Sequence, residues 1–214
     1  MTTTISDSDA PVEDGRLRRG LRTREQILNA AIDLFGSRGF AATSMKDLAS
    51  AAGVRAPAFY NHFSSKERIL AAALIRTLED FKVHVVDTDD KTRPSVDRLE
   101  NLVRAHVGYQ VTNSAIVRSV DNLLEAVSAG DLLTADDQAE VRVFTQAYRN
   151  LMIQLIDDVR SDEGGSSPAT FLCMQAVLAV CDQSRGWVRD DHGVTADDVK
   201  DGCWALVAGM LRIS

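Results

Sequence analysis

The chain has little of what several classes of protein require. Its 214 residues contain no apolar run of about 18 residues, as a membrane-spanning helix needs. Residues 1–14 include no Lys, no Arg and no apolar stretch typical of a secretory signal. The three cysteines, Cys173, Cys181 and Cys203, form no Cys-x-x-Cys pair, which argues against a disulfide framework or a zinc ribbon. We therefore expect a cytoplasmic protein.

Strand and enzyme signals are also missing. Only 4 Pro and 13 Gly occur, few for a chain of many short strands, and no segment alternates apolar and polar residues as a strand does. We find no G-x-S-x-G, no phosphate-binding loop and no H-E-x-x-H. His84 and His106 lack the spacing and companions of a metal site. The prediction is an all-α protein that is not an enzyme and needs no cofactor or metal.

The charge is unevenly distributed along the chain, whose net charge is −7. Residues 1–15 hold four acidic and no basic residues, whereas residues 16–68 hold ten basic and four acidic ones. Residues 69–214 hold 14 basic and 23 acidic residues. A basic segment in an acidic chain is typical of local contact with a polyanion, and the alternative is a merely solvated basic surface.

The N-terminal helices are predicted from their start and stop signals. Thr23-x-x-Gln26 forms a capping box that starts a first helix, and Ser64-x-x-Glu67 forms another that starts a long fourth helix. Between them, a short helix begins at Thr43 or Ser44 and ends at Gly53, and Pro57 opens a two-turn helix that ends near His62. Two short helices joined by a tight turn after a preceding helix form a helix-turn-helix.

The rest of the chain is helical by its pattern. Pro94 and Pro168 fit the first turns of two helices, and Thr134-x-x-Asp137 and Thr195-x-x-Asp198 cap two more. We predict a disordered arm at residues 1–20 and a three-helix helix-turn-helix domain at residues 21–67. A larger helical domain follows at residues 68–214, for ligand binding and dimerisation.

Residues 21–74 carry a set of stretches with characteristic residue types and spacing. They are Thr23–Ala31, Leu34–Phe35, Gly39–Met45, Asp47–Ala49, Ala52–Val54 and Phe59–Glu67. Together they resemble the TetR/AcrR family of bacterial transcriptional regulators. The resemblance implies a homodimeric repressor that binds palindromic double-stranded DNA. Its C-terminal domain would bind a small molecule that releases the DNA.

The resemblance also implies which residues contact DNA. The residues facing base edges at the start of the recognition helix would be Arg55, Ala56, Pro57 and Ala58, and those reaching bases or phosphates would be Tyr60, Asn61 and His62. Phosphate would be bound by Thr43, Ser44 and Lys66. The DNA backbone or the minor groove would be contacted by Arg22, with Arg16, Arg18 and Arg19. Ala56 and Ala58 stand where the family often has polar residues, so Arg55 is the candidate for guanine recognition. Packing is the alternative for Tyr60, and a surface position is the alternative for His62.

The C-terminal domain is expected to provide the dimer contact and the effector site. The last two helices carry small residues at which two copies would meet in a four-helix bundle, and the alternative is a monomer core. Polar residues on apolar helix faces are the candidate effector ligands, unless protein groups satisfy them internally. They are His106, Gln110, Tyr148, Gln175, Gln183 and Trp187.

A second resemblance concerns the effector. The stretches Arg98–His106, Val180–Trp187, Gly193–Thr195 and Asp198–Val199 are similar to a branch of the family that senses acyl-CoA thioesters in fatty-acid or steroid catabolism. After the tryptophan, residues 189–192 replace a second aromatic residue and a Pro-Gly pair. The effector expected is a small apolar molecule of the acyl-CoA or fatty-acid type. An alternative effector is a lipophilic cation, sensed by a repressor of an efflux gene. An alternative function for the whole chain is a helical interaction protein that does not bind DNA.

Overall fold

The fold is all-α, as predicted. A computed structural model describes residues 10–114, 116–120, 124, 132–160 and 168–213. Within these ranges the backbone forms no β-strand, and one isolated antiparallel bridge joins Arg189 and Val194. No helix in the same ranges combines the length and hydropathy required to cross a membrane.

Eight helices have defined bounds in the described part of the chain. They are α1 (Ala10–Arg38), α2 (Met45–Ala51), α3 (Ala56–His62), α4 (Lys66–His84), α5 (Ser95–Thr112), α6 (Ala135–Val159), α7 (Pro168–Gln183) and α8 (Ala196–Leu211). Residues 116–120 are also helical, and 3₁₀ turns occur at Val86–Thr88, Ser184–Gly186 and Asp190–His192.

Helix α1 begins well before the predicted start at Thr23. The Thr23 hydroxyl does not cap the helix; it donates to the Arg19 carbonyl oxygen, one turn back, at 3.0 Å. Arg and Leu are good helix formers and fill most of residues 16–22, so the helix continues through the threonine. Residues 10–20 of the predicted disordered arm are therefore helical. The first nine residues of that arm lie outside the described residues.

The other helix starts mostly follow their capping signals. Ser44 with Asp47 and Thr195 with Asp198 form reciprocal capping boxes, and the Thr134 hydroxyl accepts from the Asp137 amide. Helix α4 is the exception. The residue that caps it is Ser65 rather than Ser64, because the Ser65 hydroxyl accepts from the Arg68 amide at 3.3 Å. The predicted cap at Ser64 is therefore wrong by one residue, because the adjacent Ser65 can cap the helix equally well.

Contacts divide the chain into two compact units. The N-terminal unit contains residues 1–73 and 119–133, and the C-terminal unit contains residues 74–118 and 134–214. The core of the N-terminal unit is built by side chains from α1 to α4 that are fully or almost fully buried. They include Ile27, Leu28, Phe35, Leu48, Phe59, Phe63, Ile69 and Leu70. This core fixes the orientation of the two short helices α2 and α3.

The C-terminal unit packs its core between α5, α6, α7 and α8. Leu99, Leu102, Met152, Val177 and Val207 are all completely buried there. The three cysteines of the chain are free thiols, and burial raises the pKa of two of them, Cys181 and Cys203. Raised thiol pKa values disfavour the reactive thiolate, so both cysteines behave as core residues.

Candidate nucleic-acid interface and effector site

Helices α2 and α3 form the predicted helix-turn-helix. Gly53 follows α2 with a left-handed φ of 65°, which a residue without Cβ adopts at little cost, and the chain then turns directly into α3. Pro57 lies in the first turn of α3, where its missing N–H is not needed. Phe59 is 0% exposed and anchors α3 to the core. The local sequence thus fixes both the turn and the buried face.

The opposite face of α3 is presented to solvent. Tyr60 is 56% exposed, and its ring meets the Phe59 ring edge-on at 5.9 Å. Arg55 occupies the N-cap position and is exposed, and its guanidinium, which has only donors, cannot cap the helix. The remaining predicted contacts on this helix are Ala56, Pro57, Ala58 and Asn61, all exposed, and the half-buried His62. This face is small and apolar at its start and polar at its end.

The N-terminal extension of α1 passes beside the end of α3. A Cβ built on Gly20 would lie 4.0 Å from Cε1 of His62. The Arg24 guanidinium carbon lies 5.6 Å from the centre of the Phe63 ring, a cation–π distance. Arg22, between these positions, is exposed. The predicted arginine arm is thus a helix adjoining α3 rather than a free tether.

Thr43 does not have the exposed position that a phosphate ligand needs. It is 2% exposed, and its hydroxyl donates to the Gly39 carbonyl oxygen at 2.8 Å. The predicted phosphate contact through this hydroxyl is incompatible with that burial, because the donor is already used inside the loop. Thr43 instead closes the loop between α1 and α2.

Ser44 is exposed, but its donors are engaged by a neighbour. Its backbone N–H and its hydroxyl both donate to Oδ2 of Asp47, at 2.9 and 2.5 Å. These bonds from Ser44 hold the pKa of the Asp47 carboxyl below its ordinary value. A phosphate at the start of α2 would compete with this carboxylate, so the predicted Ser44 contact requires the capping box to open.

Lys66 has internal partners that the sequence did not reveal. Its ammonium donates to the carbonyl oxygens of Phe40 at 2.7 Å and Thr43 at 2.9 Å. The same nitrogen lies 4.2 Å from the centre of the Phe40 ring. Lys66 therefore ties the start of α4 to the α1–α2 loop, and its predicted phosphate contact competes with these bonds.

The C-terminal unit contains a polar cluster, hereafter the His106 cluster, made of the buried His106 and Gln110 and the partly exposed Tyr148 and Asp182. His106 Nδ1 lies 2.9 Å from the Tyr148 hydroxyl oxygen, and His106 Nε2 lies 3.2 Å from Oδ1 of Asp182. Gln110 Nε2 donates to the same Asp182 oxygen at 2.9 Å and lies 3.0 Å from His106 Nε2. Helices α5, α6 and α7 are thus joined by one hydrogen-bonded group.

Aromatic rings surround this cluster. The Phe81 ring meets His106, Tyr148 and Tyr109 edge-to-face, with centroids 4.9, 5.2 and 5.3 Å apart. Burial raises the pKa of Tyr148 well above its ordinary value, so its hydroxyl stays protonated and can donate as well as accept. The cluster is thus bordered by the aromatic side chain of Phe81.

The structure brings together three of the six predicted effector ligands. His106 and Gln110 are 3% and 5% exposed and meet Tyr148 in the cluster. Gln175 and Gln183 are exposed on α7, and no hydrogen bond in the described part of the chain links them to the cluster. Trp187 lies instead on a surface groove of about 480 Å³ along α8. These three remain predictions without support from the arrangement.

Asp182 is the cluster member that residue patterns missed. It stands on α7, an otherwise strongly apolar helix, beside the buried Cys181. A lone carboxylate on such a helix is itself a signal, because a charge there requires a polar partner. No set of three or more His, Cys, Asp or Glu side chains suited to a metal ion occurs in the residues that the structure describes.

Comparison with known proteins decides the family. Residues 27–73 match the profile of bacterial regulatory proteins of the tetR family, and residues 92–211 match that of the tetracyclin repressor-like C-terminal domain. The chain belongs to the TetR family of bacterial transcriptional regulators. The predicted helix-turn-helix and helical C-terminal domain are those of the family.

Relatives of the chain include a transcriptional repressor and a transcriptional activator. The chain is 39% identical over 192 residues to the HTH-type transcriptional repressor KstR2 of Rhodococcus jostii, covering 88% of this chain and 90% of that protein. It is 28% identical over 203 residues to the HTH-type transcriptional activator FasR of Mycolicibacterium smegmatis, covering 92% and 89%.

Solved structures share the fold. The structure of AibR in complex with isovaleryl coenzyme A and operator DNA superposes with a TM-score of 0.71 at 20% identity, covering 86% of this chain and 97% of that one. The ketosteroid transcriptional regulator KstR2 of Mycobacterium tuberculosis gives a TM-score of 0.70 at 21% identity, with 87% and 93% covered.

Proposed function

We propose that this TetR-family regulator is a homodimeric, sequence-specific DNA-binding repressor that a small apolar effector releases from its operator. The observation that carries the proposal is the solvent-facing side of α3, held by the buried Phe59 within a helix-turn-helix that matches the family. A helix so presented enters the major groove by its N-terminal residues.

The proposed base contacts come from the first turn of α3. Arg55 would bind O6 and N7 of a guanine with its two-pronged guanidinium, and the methyl groups of Ala56 and Ala58 would contact thymine methyls beside Pro57. Tyr60, Asn61 and His62 would reach phosphates or flanking bases. Arg22 and the rest of the α1 extension would add phosphate contacts, because they lie on the helix that adjoins the end of α3.

Dimerisation through α7 and α8 is supported by the apolar side chains exposed there. Phe171 and Leu172 on α7 are 49% and 65% exposed, and Leu206 and Met210 on α8 are 57% and 40% exposed. Exposed apolar groups in such numbers are typical of an interaction surface. Dimeric helix-turn-helix proteins insert their two recognition helices into successive major grooves about 34–36 Å apart, so a two-fold dimer suits a palindromic operator.

The dimer proposal is tested with Leu206→Glu. We expect a charge at this position to shift the protein to monomer in analytical ultracentrifugation and to weaken operator binding with it. Val143→Glu is the matched control, because Val143 is 69% exposed on α6 and should leave both properties unchanged. A variant Leu206→Glu that stays dimeric would contradict the use of this surface.

An effector with an apolar body fits the aromatic surroundings of the His106 cluster. The proposal of an acyl-CoA effector is supported by the solved AibR complex, which contains isovaleryl coenzyme A, whereas the name of the M. tuberculosis KstR2 points to ketosteroids. Whether the protein represses or activates transcription is tested separately in cells. Deleting the gene should raise transcription from its own promoter region, whereas a fall would make the protein an activator, as the name of FasR describes that relative.

DNA binding is tested by fluorescence anisotropy on its own upstream DNA at increasing salt. We expect a steep loss of affinity, because phosphate contacts release counterions. Arg55→Ala should reduce discrimination at one operator position by about 1–3 kcal/mol. Arg149→Ala, an exposed arginine on α6, is the control and should change nothing. Failure of the wild type to bind any upstream sequence would refute the proposal.

A further inference from the structure

The His106 cluster leaves one polar atom without a protein partner. Gln110 is 5% exposed, and its Oε1 receives no hydrogen bond from any protein group in the described part of the chain. A buried acceptor without a donor destabilises the fold, because it gives up its hydrogen bonds to water without replacing them. Such atoms are rare in folded proteins, and each calls for an explanation.

The chemistry of the cluster fixes which end of the Gln110 amide is the unpartnered one. The end that faces Asp182 lies 2.9 Å from a carboxylate oxygen, which accepts hydrogen bonds. That end must be the NH₂ group, because an amide oxygen there would meet another acceptor. The orphan atom is therefore the carbonyl oxygen, and only a hydrogen-bond donor can satisfy it.

The surroundings restrict what can carry that donor. The Phe81 ring packs edge-on against His106 and Tyr148, so the neighbourhood is aromatic. Asp182 is half-exposed and adds a carboxylate to the cluster through its contacts with His106 and Gln110. Two acceptors, one of them a carboxylate, would repel an anion brought close to them.

We propose that Gln110 Oε1 binds the head group of an apolar effector that donates a hydrogen bond, such as an amide N–H, a hydroxyl or an ammonium, and that Asp182 disfavours a free carboxylate. This inference rests on the effector-controlled function proposed above and adds the chemistry of the effector. An acyl thioester of coenzyme A offers amide N–H groups in its pantetheine arm, whereas the corresponding free fatty acid offers no such donor.

A series of probes with one apolar chain and different head groups tests the proposal. Decanamide, decanol, decylamine and decanoic acid are titrated into the full-length protein at neutral pH by calorimetry. We expect the three donors to bind at least about tenfold more tightly than the acid. The N-acetylcysteamine thioester of decanoic acid then separates a pantetheine-like amide from a simple alcohol or a cation as the preferred source of the donor.

Two variants locate the effect. In Gln110→Leu the donors should lose about tenfold in affinity, whereas Gln175→Leu, at an exposed glutamine on α7, should bind as the wild type does. Because a change at a buried residue can unfold the chain, Asp182→Asn provides a second arm at a half-exposed position. It should raise the affinity for decanoic acid about tenfold and leave decanol within about twofold.

The proposal is overturned if the acid binds the wild type as tightly as the amide, if no probe binds, or if Asp182→Asn leaves the affinity for the acid unchanged. Operator binding by the same preparation is measured in parallel. A protein that binds its operator but shows no head-group preference loses only this inference, and one that binds no upstream DNA loses the proposed function.

Discussion

The two units of this regulator place their polar groups in opposite ways. In the N-terminal unit the groups proposed to contact DNA, such as Tyr60 and Arg55, are exposed, and buried polar groups such as the Thr43 hydroxyl are satisfied internally. In the C-terminal unit His106 and Gln110, both proposed to contact the effector, are buried, and one acceptor, Gln110 Oε1, has no protein partner in the described part of the chain. In the proposed account, the DNA surface is formed without its ligand, whereas the effector site leaves one polar atom for the ligand to pair.

Substitutions at the neighbouring aromatic residues Phe59 and Tyr60 should produce the largest difference in stability between a buried and an exposed position. Phe59→Ala should cost about 3–5 kcal/mol of unfolding free energy, because it removes a completely buried ring. Tyr60→Ala should change stability by no more than about 0.5 kcal/mol yet weaken operator binding. Denaturant unfolding and anisotropy measure the two properties, and equal stability losses would contradict the assignment of the two faces of α3.

The buried ion pair of the C-terminal unit gives the next largest effect. Arg98 donates to both carboxylate oxygens of Asp89 at 2.8 Å, and the two side chains are 11% and 5% exposed. Asp89→Ala should cost about 3 kcal/mol, because Arg98 is left buried and unpaired. Asp97→Ala breaks an exposed pair with Arg93 and should cost no more than about 0.5 kcal/mol in the same unfolding experiment.

The same pair predicts a pH dependence. The bonds from Arg98 hold the pKa of Asp89 below its ordinary value of 3.8. The folded carboxyl therefore releases its proton more readily than the unfolded one. The pair contributes its full stability above that ordinary value and loses it as the pH falls through the lower folded pKa. Acid unfolding of Asp89→Asn should be shallower over this range than that of the wild type, and identical slopes would exclude the contribution.

Substitutions at Lys66 and Arg22 should have smaller effects, one on stability and the other on the salt dependence of operator binding. Lys66→Met should cost about 2 kcal/mol of stability, because its ammonium bonds two carbonyl oxygens, and should leave the salt dependence of operator binding unchanged. Arg22→Ala should leave stability unchanged and reduce the salt slope by about one. A reduced salt slope of operator binding in Lys66→Met would instead support the phosphate contact predicted for this lysine from the sequence.

Local signals in the sequence predicted the features that depend on neighbouring residues. The short helix starts after Ser44, one of the two starts predicted, and Gly53 and Pro57 lie at the turn and first turn that their chemistry favours, so the helix-turn-helix followed from them. The start of α1 was wrong because Thr23 can bond back to Arg19 within a helix as well as cap one.

Contacts between residues far apart in the sequence were beyond such signals. The bonds of Lys66 to Phe40 and Thr43 join residues 26 and 23 positions apart, and Asp182 meets Gln110 across 72 positions. Residue type suggested that His106, Gln110 and Tyr148 needed partners, but helical periodicity cannot say which helices face each other. Only the packing of α5, α6 and α7 identified them as partners of one another.

The most direct test of the central claim places a photo-crosslinking phenylalanine analogue at position 60 on α3 or at position 143 on α6. Both native residues are exposed, at 56% and 69%. With each protein bound to upstream DNA and irradiated, we expect covalent attachment to the duplex from position 60 and none from position 143. Crosslinking from position 143 alone would show that the C-terminal unit, and not α3, faces the DNA.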